Sequence, residues 1–276
     1  MIGGDRIESR RFARQEAGTF ACSSKRRSLT TAIGAAFGAL MLLLAAAPAE
    51  SACSERAYDE ARYTICVFEV GRDDLRLYWA DSDRKPYSSF DALAKSLAAS
   101  GRRLRFATNA GMYGADLAPV GLYVEDGKRL RRADTRAGPS NFHLQPNGVF
   151  WIGDGAAGVT ETSRFLADPP AARYATQSGP MLVIDGRIHP RILPTGTSEK
   201  IRNGVCVNGG TTAIFVIADE PVTFYAFARL FRDGLGCADA LFLDGSISSL
   251  YAPELGRDDE FTPLGPIIGV SAPAAP

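Results

Sequence analysis

Residues 211–243, TTAIFVIADEPVTFYAFARLFRDGLGCADALFL, decide the reading of the fold. Thr211–Asp219 is an apolar run of strand length, rich in β-branched residues. Thr223–Asp233 then sets Phe224, Phe227, Leu230 and Phe231 at helical spacing, behind a capping Thr223 and ahead of Gly234 as a stop. Ala240–Leu243 is a short second run, apolar throughout. Strand, helix and strand in succession predict an α+β domain with a mixed β-sheet flanked by helices. The four large apolar residues of the helix are read as core.

Upstream, Thr64–Val70 and Leu75–Ala80 are two β-rich runs around Gly71-Arg72-Asp73-Asp74, and they predict a hairpin. Phe90–Ser100 has Phe90, Leu93, Ala94 and Leu97 on one face, with Ser89 as N-cap and Gly101 as the stop, and predicts a short helix. Strands are expected at Leu104–Thr108, Val120–Glu125, Gly148–Ile152 and Met181–Ile184. Two of these run into Asp-Gly pairs, Asp126-Gly127 and Asp185-Gly186, the dipeptide that best fits a two-residue hairpin turn. No linker or repeat divides 53–276, so a single domain is expected there.

Residues 1–52 read as a signal peptide with an N-terminal extension. Leu29–Ala47 (LTTAIGAAFGALMLLLAAA) carries no charge, follows Lys25, Arg26 and Arg27, and precedes a small-residue site best cut after Ala49. The competing reading is an anchor that stays attached. Export, to the periplasm or beyond, and no stable membrane insertion after cleavage are the expectations. Cys53, Cys66, Cys206 and Cys237 then form an even set in an oxidising compartment; of three possible pairings, neighbours in sequence are the simplest. No C-x-x-C occurs and His143 and His189 are the only histidines, so neither a metal nor another cofactor is expected. Residues 53–276 hold 24 basic and 27 acidic side chains, a net of −3. That balance offers no basic excess for nucleic acid, and the recurring apolar runs exclude disorder.

Four polar, glycine-punctuated segments sit at strand ends. In Thr108-Asn109-Ala110-Gly111-Met112-Tyr113, Asn109 offers an amide, Gly111 a close backbone approach and Tyr113 a ring for stacking on a sugar. Thr176-Gln177-Ser178-Gly179-Pro180 precedes the Met181 strand, a polar trio before Gly-Pro that offers amides and a hydroxyl to phosphate or sugar hydroxyls. Arg202-Asn203 joins an amide to the side chain best suited to a phosphodiester. Asp244-Gly245-Ser246-Ile247-Ser248-Ser249 follows the buried strand Ala240–Leu243, and makes Asp244 the best candidate for a catalytic carboxylate. Each segment alone also reads as an ordinary turn. His189 is a candidate acid because imidazole titrates near neutrality, and also a candidate structural residue. Glu125 and Asp116 are weak candidates for a second carboxylate.

TNAGMYG at 108–114, PVGLYVEDGK at 119–128, NFHLQPNGVFWI at 141–152, ATQSGPMLVIDGRIHP at 175–190, IRNGV at 201–205 and FARLFRDGLGCADALFLDGSISSLY at 227–251 fall in the order of one family. Together they resemble the phosphodiester glycosidases, over most of 64–251. The chain departs from the family's LDGGGSS pattern with Ser246-Ile247 in place of two glycines, which puts substrate range in question. The resemblance implies an exported hydrolase that cleaves the sugar–phosphate bond of a sugar 1-phosphodiester of N-acetylglucosamine type, with an envelope glycan as a possible partner. In that reading Asp244, Arg202 and His189 are catalytic. Asn109, Gly111, Tyr113, Gln177, Ser178, Gly179, Asn203, Gly245, Ser248 and Ser249 bind substrate. Two rivals are a non-catalytic module binding envelope glycans or phosphate-bearing polymers, and a metal-dependent phosphodiesterase that breaks the P–O bond.

Overall fold

In the computed structural model, which describes residues 52–274, the strand–helix–strand segment forms as expected but its two strands are not neighbours. Thr212–Ala218 and Ala240–Phe242 both pair antiparallel with Asn203–Asn208, which lies between them. The helix therefore bridges two strands of one direction while the named strands of each sheet pair antiparallel. The mixed sheet is thus replaced by three antiparallel sheets, and the domain is sheet-dominated.

The first sheet has seven strands in the order Cys53–Tyr58, Ala61–Glu69, Thr212–Ala218, Asn203–Asn208, Ala240–Phe242, Met181–Ile184, Arg187–Ile188. The second runs Arg257–Asp259, Leu250–Ala252, Arg102–Asn109, Ile267–Pro273, Asp74–Tyr78. The third runs Lys128–Arg131, Tyr123–Glu125, Ala172–Ser178, Gly148–Gly153, Ala157–Glu161. The expected hairpin around Gly71–Asp74 is therefore not one: Ala61–Glu69 joins the first sheet and Asp74–Tyr78 the second. Both Asp-Gly turns close hairpins as expected, with φ of 48° and 75° at Asp126-Gly127 and 47° and 74° at Asp185-Gly186. Positive φ at both central residues gives the turn the twist that its strands require.

The sheets converge on buried aromatic rings. Phe68 and Phe215 come from the first sheet, Phe106 from the second and Phe150 from the third, with centroid separations of 4.7 Å for Phe68–Phe106, 5.2 Å for Phe106–Phe215 and 5.7 Å for Phe150–Phe215. Such pairs contribute roughly 0.5–1.5 kcal/mol each beyond their buried area. The helix Phe90–Ala99 covers one side, its first turn capped by the Ser89 hydroxyl, which accepts from the Ala92 N–H at 3.0 Å. The helix starting at Phe224 is capped by Thr223, widens to a π-turn over Leu230–Gly234, and buries Phe227, Leu230 and Phe231 as expected. A short helix at Thr162–Ala167, capped by Glu161, has no counterpart in the sequence reading. Cys53 is bonded to Cys66 and Cys206 to Cys237, the pairing of sequence neighbours. The described residues make one compact unit. The leader segment lies outside them, and no helix within them is long and apolar enough to cross a membrane.

Candidate functional site

Chain leaving the Ala240–Phe242 strand passes through Leu243, whose N–H still donates to the Asn203 carbonyl at 3.1 Å, and then departs from the sheet at Asp244. A short 3₁₀ turn, Gly245–Ile247, carries it back to the second sheet at Leu250, opposite Thr108. At Gly245 a side chain would stand 2.8 Å from the Phe242 ring and 3.1 Å from the Ile201 carbonyl, so only glycine lets the turn sit this close.

Two buried asparagines hold that turn, one from each sheet. The Asn203 amide donates to the Asn109 side-chain oxygen at 2.8 Å and to the Thr108 hydroxyl at 3.1 Å. Asn203 Oδ1 accepts the Asp244 N–H at 3.2 Å, and the Asn109 amide donates to the Asp244 carbonyl, also at 3.2 Å. Asn109 Oδ1 takes the Ser249 N–H at 3.0 Å, while the Thr108 hydroxyl donates to the Ser249 carbonyl at 2.9 Å. Backbone N–H groups can only donate, so they dictate which way each amide faces. Asn109 is fully buried and Asn203 is 1% exposed, so the network is shielded from competing water. Both backbone polar groups of Asp244 are thereby gripped, and its carboxyl leaves a fixed main chain in a half-buried position. Ser248 and Ser249 are also buried; the Ser249 hydroxyl turns to the Ile247 carbonyl at 2.7 Å, and that of Ser248 makes longer contacts to Ile201, Asn203 and Asp244.

Beyond Asn109 the chain crosses to the third sheet. The Gly111 N–H donates to the Thr176 hydroxyl at 3.2 Å, and a side chain at Gly111 would fall 2.3 Å from the Gln177 carbonyl. Tyr113 then lies against Gly265 and donates its hydroxyl to the Pro263 carbonyl at 2.6 Å. Burial pushes the Tyr113 hydroxyl up, a hydrogen bond with Thr262 pulls it down, and the charge of Asp244 adds to the rise. Ser178 approaches from another side and donates to the Leu243 carbonyl at 2.6 Å, one residue before Asp244. The structure thus brings together Asn109, Ser178, Asn203, Asp244, Gly245, Ser248 and Ser249, with Gly111 and Tyr113 on the chain that continues from Asn109. Thr108 and Thr176 complete the arrangement; the sequence places them within two of the polar segments without marking either as a site residue.

Four expected site residues, Gln177, Gly179, Arg202 and His189, are placed differently. Gln177, 1% exposed, is saturated: its oxygen accepts from the Leu122 and Asp134 N–H groups at 3.0 and 2.9 Å, and its amide donates to the Asp134 carbonyl at 2.7 Å. No group is left for a substrate, so Gln177 pins the loop ahead of Phe142. Gly179 likewise meets protein, with Asn147 and the Phe142 carbonyl where a side chain would stand. Arg202 is 2% exposed; its Nε donates to the Val222 carbonyl at 2.9 Å, one terminal nitrogen donates to the Ser198 carbonyl at 2.8 Å, and the guanidinium stacks 3.6 Å over the Phe224 ring. Strand alternation explains this: Asn203 faces the amide network, and Arg202, one residue earlier, packs among the aromatic rings behind it. Burial brings its pKa down to about 10, and no carboxylate pairs with it among the described residues.

His189 is fully buried beyond the Asp185-Gly186 hairpin, and no described contact ties it to the amide network. Its Nδ1 accepts the Arg191 N–H at 3.1 Å, which puts the neutral ring's proton on Nε2, an atom with no hydrogen-bond partner among the described residues. Burial pushes its pKa down, while the Gln145 carbonyl, facing the ring outside hydrogen-bond geometry, pulls the other way. The ring is thus neutral at neutral pH, which argues against its use as an acid. Asp116 accepts the Ala118 N–H at 3.1 Å within its own turn. Glu125 lies in the third sheet, where burial raises it to about 7 against the Tyr123 hydroxyl that donates to it at 2.9 Å. Among the described residues no group of three or more His, Cys, Asp or Glu is arranged to hold a metal.

Three antiparallel sheets that meet at shared aromatic rings, with a carboxylate presented at a strand end by a buried amide pair, define a sheet-dominated α+β domain. The chain belongs to the phosphodiester glycosidase family, whose profile matches residues 102–270 and so covers Asn109, Asn203 and Asp244. It is 32% identical over 212 residues to "Uncharacterized protein YigE" of Escherichia coli (strain K12), a match spanning 77% of this chain and 82% of that one. In structure it is similar to the zebrafish N-acetylglucosamine-1-phosphodiester alpha-N-acetylglucosaminidase catalytic domain auto-inhibited by its pro-peptide. That similarity has a TM-score of 0.54 and 15% identity, over 79% of this chain and 81% of that one, and it shows a shared fold.

Proposed function

We propose that the protein is an exported hydrolase that cleaves the sugar–phosphate glycosidic bond of a sugar 1-phosphodiester of N-acetylglucosamine type, with Asp244 as its catalytic carboxylate. The observation that carries this reading is the grip on Asp244 through both its N–H and its carbonyl. Fixing a reacting group before substrate arrives removes reorganisation from the chemical step. Family membership and the name of the zebrafish structural relative support the substrate class. The two disulfides are compatible with an oxidising compartment.

In the reaction, water oxygen bonds to the anomeric carbon, and the bond between that carbon and the bridging phosphate oxygen breaks, the O–P bond staying intact. The bonding electron pair leaves with a phosphate monoester, and the water's proton passes to Asp244. A phosphate is already a good leaving group, so little proton donation is required of the protein, in keeping with a neutral, buried His189. Tyr113 lines the sugar side of the carboxylate. Arg202 serves as an uncompensated positive charge behind the Asp244 turn, biasing the site toward an anionic leaving group; it is not an exposed clamp. Asn109, Asn203, Ser248 and Ser249 are positioning residues, and Gly111 and Gly245 allow the close approaches.

The test is turnover of an N-acetylglucosamine 1-phosphodiester by the purified protein and by Asp244→Asn. The proposal expects free sugar and a phosphate monoester from the first and the same products roughly 10²–10⁴-fold more slowly from the second. Undiminished turnover by Asp244→Asn would remove the role of Asp244. Binding without turnover by either protein would leave the non-catalytic module as the better reading.

A further inference from the structure

The strongest charge feature of the molecule is unused by the proposed chemistry. Lys128-Arg129-Leu130-Arg131-Arg132-Ala133-Asp134-Thr135-Arg136 holds five basic side chains and one acidic, a net of +4 within a chain segment 53–276 whose net is −3. Lys128–Arg131 is the outermost strand of the third sheet, exposed throughout, with a bulge opposite Tyr123 and Val124. Among the described residues no carboxylate pairs with Lys128, Arg129, Arg131 or Arg132. The one acid, Asp134, is already engaged by Arg136 and by His143, and Arg136 foremost holds its carboxyl well below the usual carboxylate range.

Leu130–Arg136 of this segment line a groove of about 610 Å³ together with Val120, and Lys128 and Arg129 flank it as the preceding residues of the same exposed strand. The groove abuts the loop that carries Tyr113. Arg131 Nε donates to the Pro119 carbonyl at 2.8 Å, Pro119 is bridged to Tyr113, and the Val120 N–H donates to the Met112 carbonyl at 3.1 Å. A chain whose reacting sugar lies beside Tyr113 and Asp244 would therefore continue over the basic groove.

We infer that this groove binds the remainder of the substrate, and that the substrate is a polyanionic glycan with repeating phosphodiester groups. The inference rests on the proposed function and extends it from one bond to a polymer. Charge complementarity favours repeated phosphates, because several unpaired cations in a row each gain from displacing a counterion. The groove's lining of Val120, Leu130, Arg131, Arg132, Ala133, Asp134, Thr135 and Arg136 contains no aromatic side chain, and single-stranded nucleic acids rely on aromatic stacking of their bases. Basic residues also protect exposed edge strands from pairing with other chains. That role depends on charge and not on its sign, which separates the two explanations.

The test uses the triple variant Lys128→Glu, Arg129→Glu and Arg132→Glu, which keeps a charged edge. Inorganic polyphosphate is the binding probe, titrated by calorimetry over a range of salt, and a small N-acetylglucosamine 1-phosphodiester is the activity probe. The expectation is that the parent protein binds polyphosphate with strongly salt-dependent affinity. The variant should bind at least about 100-fold more weakly at low salt, with the slope of log K against log salt reduced by about 2, three contacts at roughly 0.7 each. Turnover of the small diester should be unchanged in the variant. Equal polyphosphate affinity in the two proteins would overturn the inference, as would tighter binding of a single-stranded oligonucleotide or of anionic phospholipid vesicles than of polyphosphate. Should the small diester not be turned over by either protein while polyphosphate binding follows the charge, the reading of the reaction fails and the groove stands.

Discussion

Asn203→Asp changes one NH₂ to an oxygen at the centre of the amide network. The nitrogen replaced donates to Asn109 Oδ1 at 2.8 Å and to the Thr108 hydroxyl at 3.1 Å, while the retained oxygen accepts the Asp244 N–H at 3.2 Å. A protonated carboxyl reproduces this pattern, since its O–H can point at Asn109 Oδ1. An ionised one sets two oxygens against each other in a site only 1% exposed. Burial and the facing oxygen both favour the neutral form, so the introduced carboxyl should titrate about 3 units above its unfolded value near 4. The folded pKa then lies above the unfolded one, so the unfolded chain releases the proton first as pH rises. Stability relative to the parent is full below about pH 4 and falls through the window up to about pH 7, by about 4 kcal/mol at 1.36 kcal/mol per unit. Urea unfolding of variant and parent at pH 4.5 and pH 8, with the disulfides intact, reads this as a midpoint difference that opens with pH. The same difference at both pH values would refute the reasoning, since the Asn203 amide would then not be the donor described.

Other changes probe separate parts of the account. Asp244→Asn should cut kcat by roughly 10²–10⁴-fold while the urea midpoint stays close to that of the parent, because the backbone grip survives. Gly111→Ala must move the loop away from the Gln177 carbonyl and the Thr176 hydroxyl, 2.3 and 2.5 Å from the new methyl group, and should cost about 1–3 kcal/mol together with a fall in kcat/KM as Tyr113 shifts. Glu125→Gln should flatten the pH dependence of stability. With its folded pKa raised to about 7, Glu125 favours the folded state fully below pH 4.5 and progressively less up to pH 7, an effect on the order of 2 kcal/mol seen in thermal melts across that window. Replacing both Cys206 and Cys237 by Ala opens a link across a sequence separation of 31 and should cost about 3–4 kcal/mol in chemical unfolding.

Local chemistry was legible in the sequence where it acts alone. The Asp126-Gly127 and Asp185-Gly186 turns, the Ser89 and Thr223 caps and the apolar face of Phe90–Ala99 each depend on a few adjacent residues, and the structure has all of them. Strand partners were not legible, because alternation marks a buried face without naming the neighbour across it. Ala61–Glu69 looks like half of a hairpin with the next run, yet it pairs with Thr212–Ala218, some 150 residues away. The same limit applies to Asn203–Asn208, whose place between the strands of the strand–helix–strand unit turns a mixed sheet into an antiparallel one. Within the site, Asp244 stood out because it directly follows a buried apolar strand and precedes a glycine and three serine hydroxyls. The amides of Asn109, Asn203 and Gln177 look alike in sequence. Only coordinates separate the pair that grips Asp244 from Gln177, which is spent on the Asp134 loop. Arg202 misled for a different reason: a guanidinium that suits a phosphodiester also stacks on a phenylalanine, and strand parity put it on the aromatic side.

The most direct test of the central claim is hydrolysis of an N-acetylglucosamine 1-phosphodiester in oxygen-18 water, with the label traced by mass spectrometry. Attack at the anomeric carbon predicts label in the sugar and none in the phosphate monoester, with product formation slowed roughly 10²–10⁴-fold in Asp244→Asn. Label in the phosphate would mean that the P–O bond is the one broken, and would contradict the assignment of this site to glycosidic cleavage.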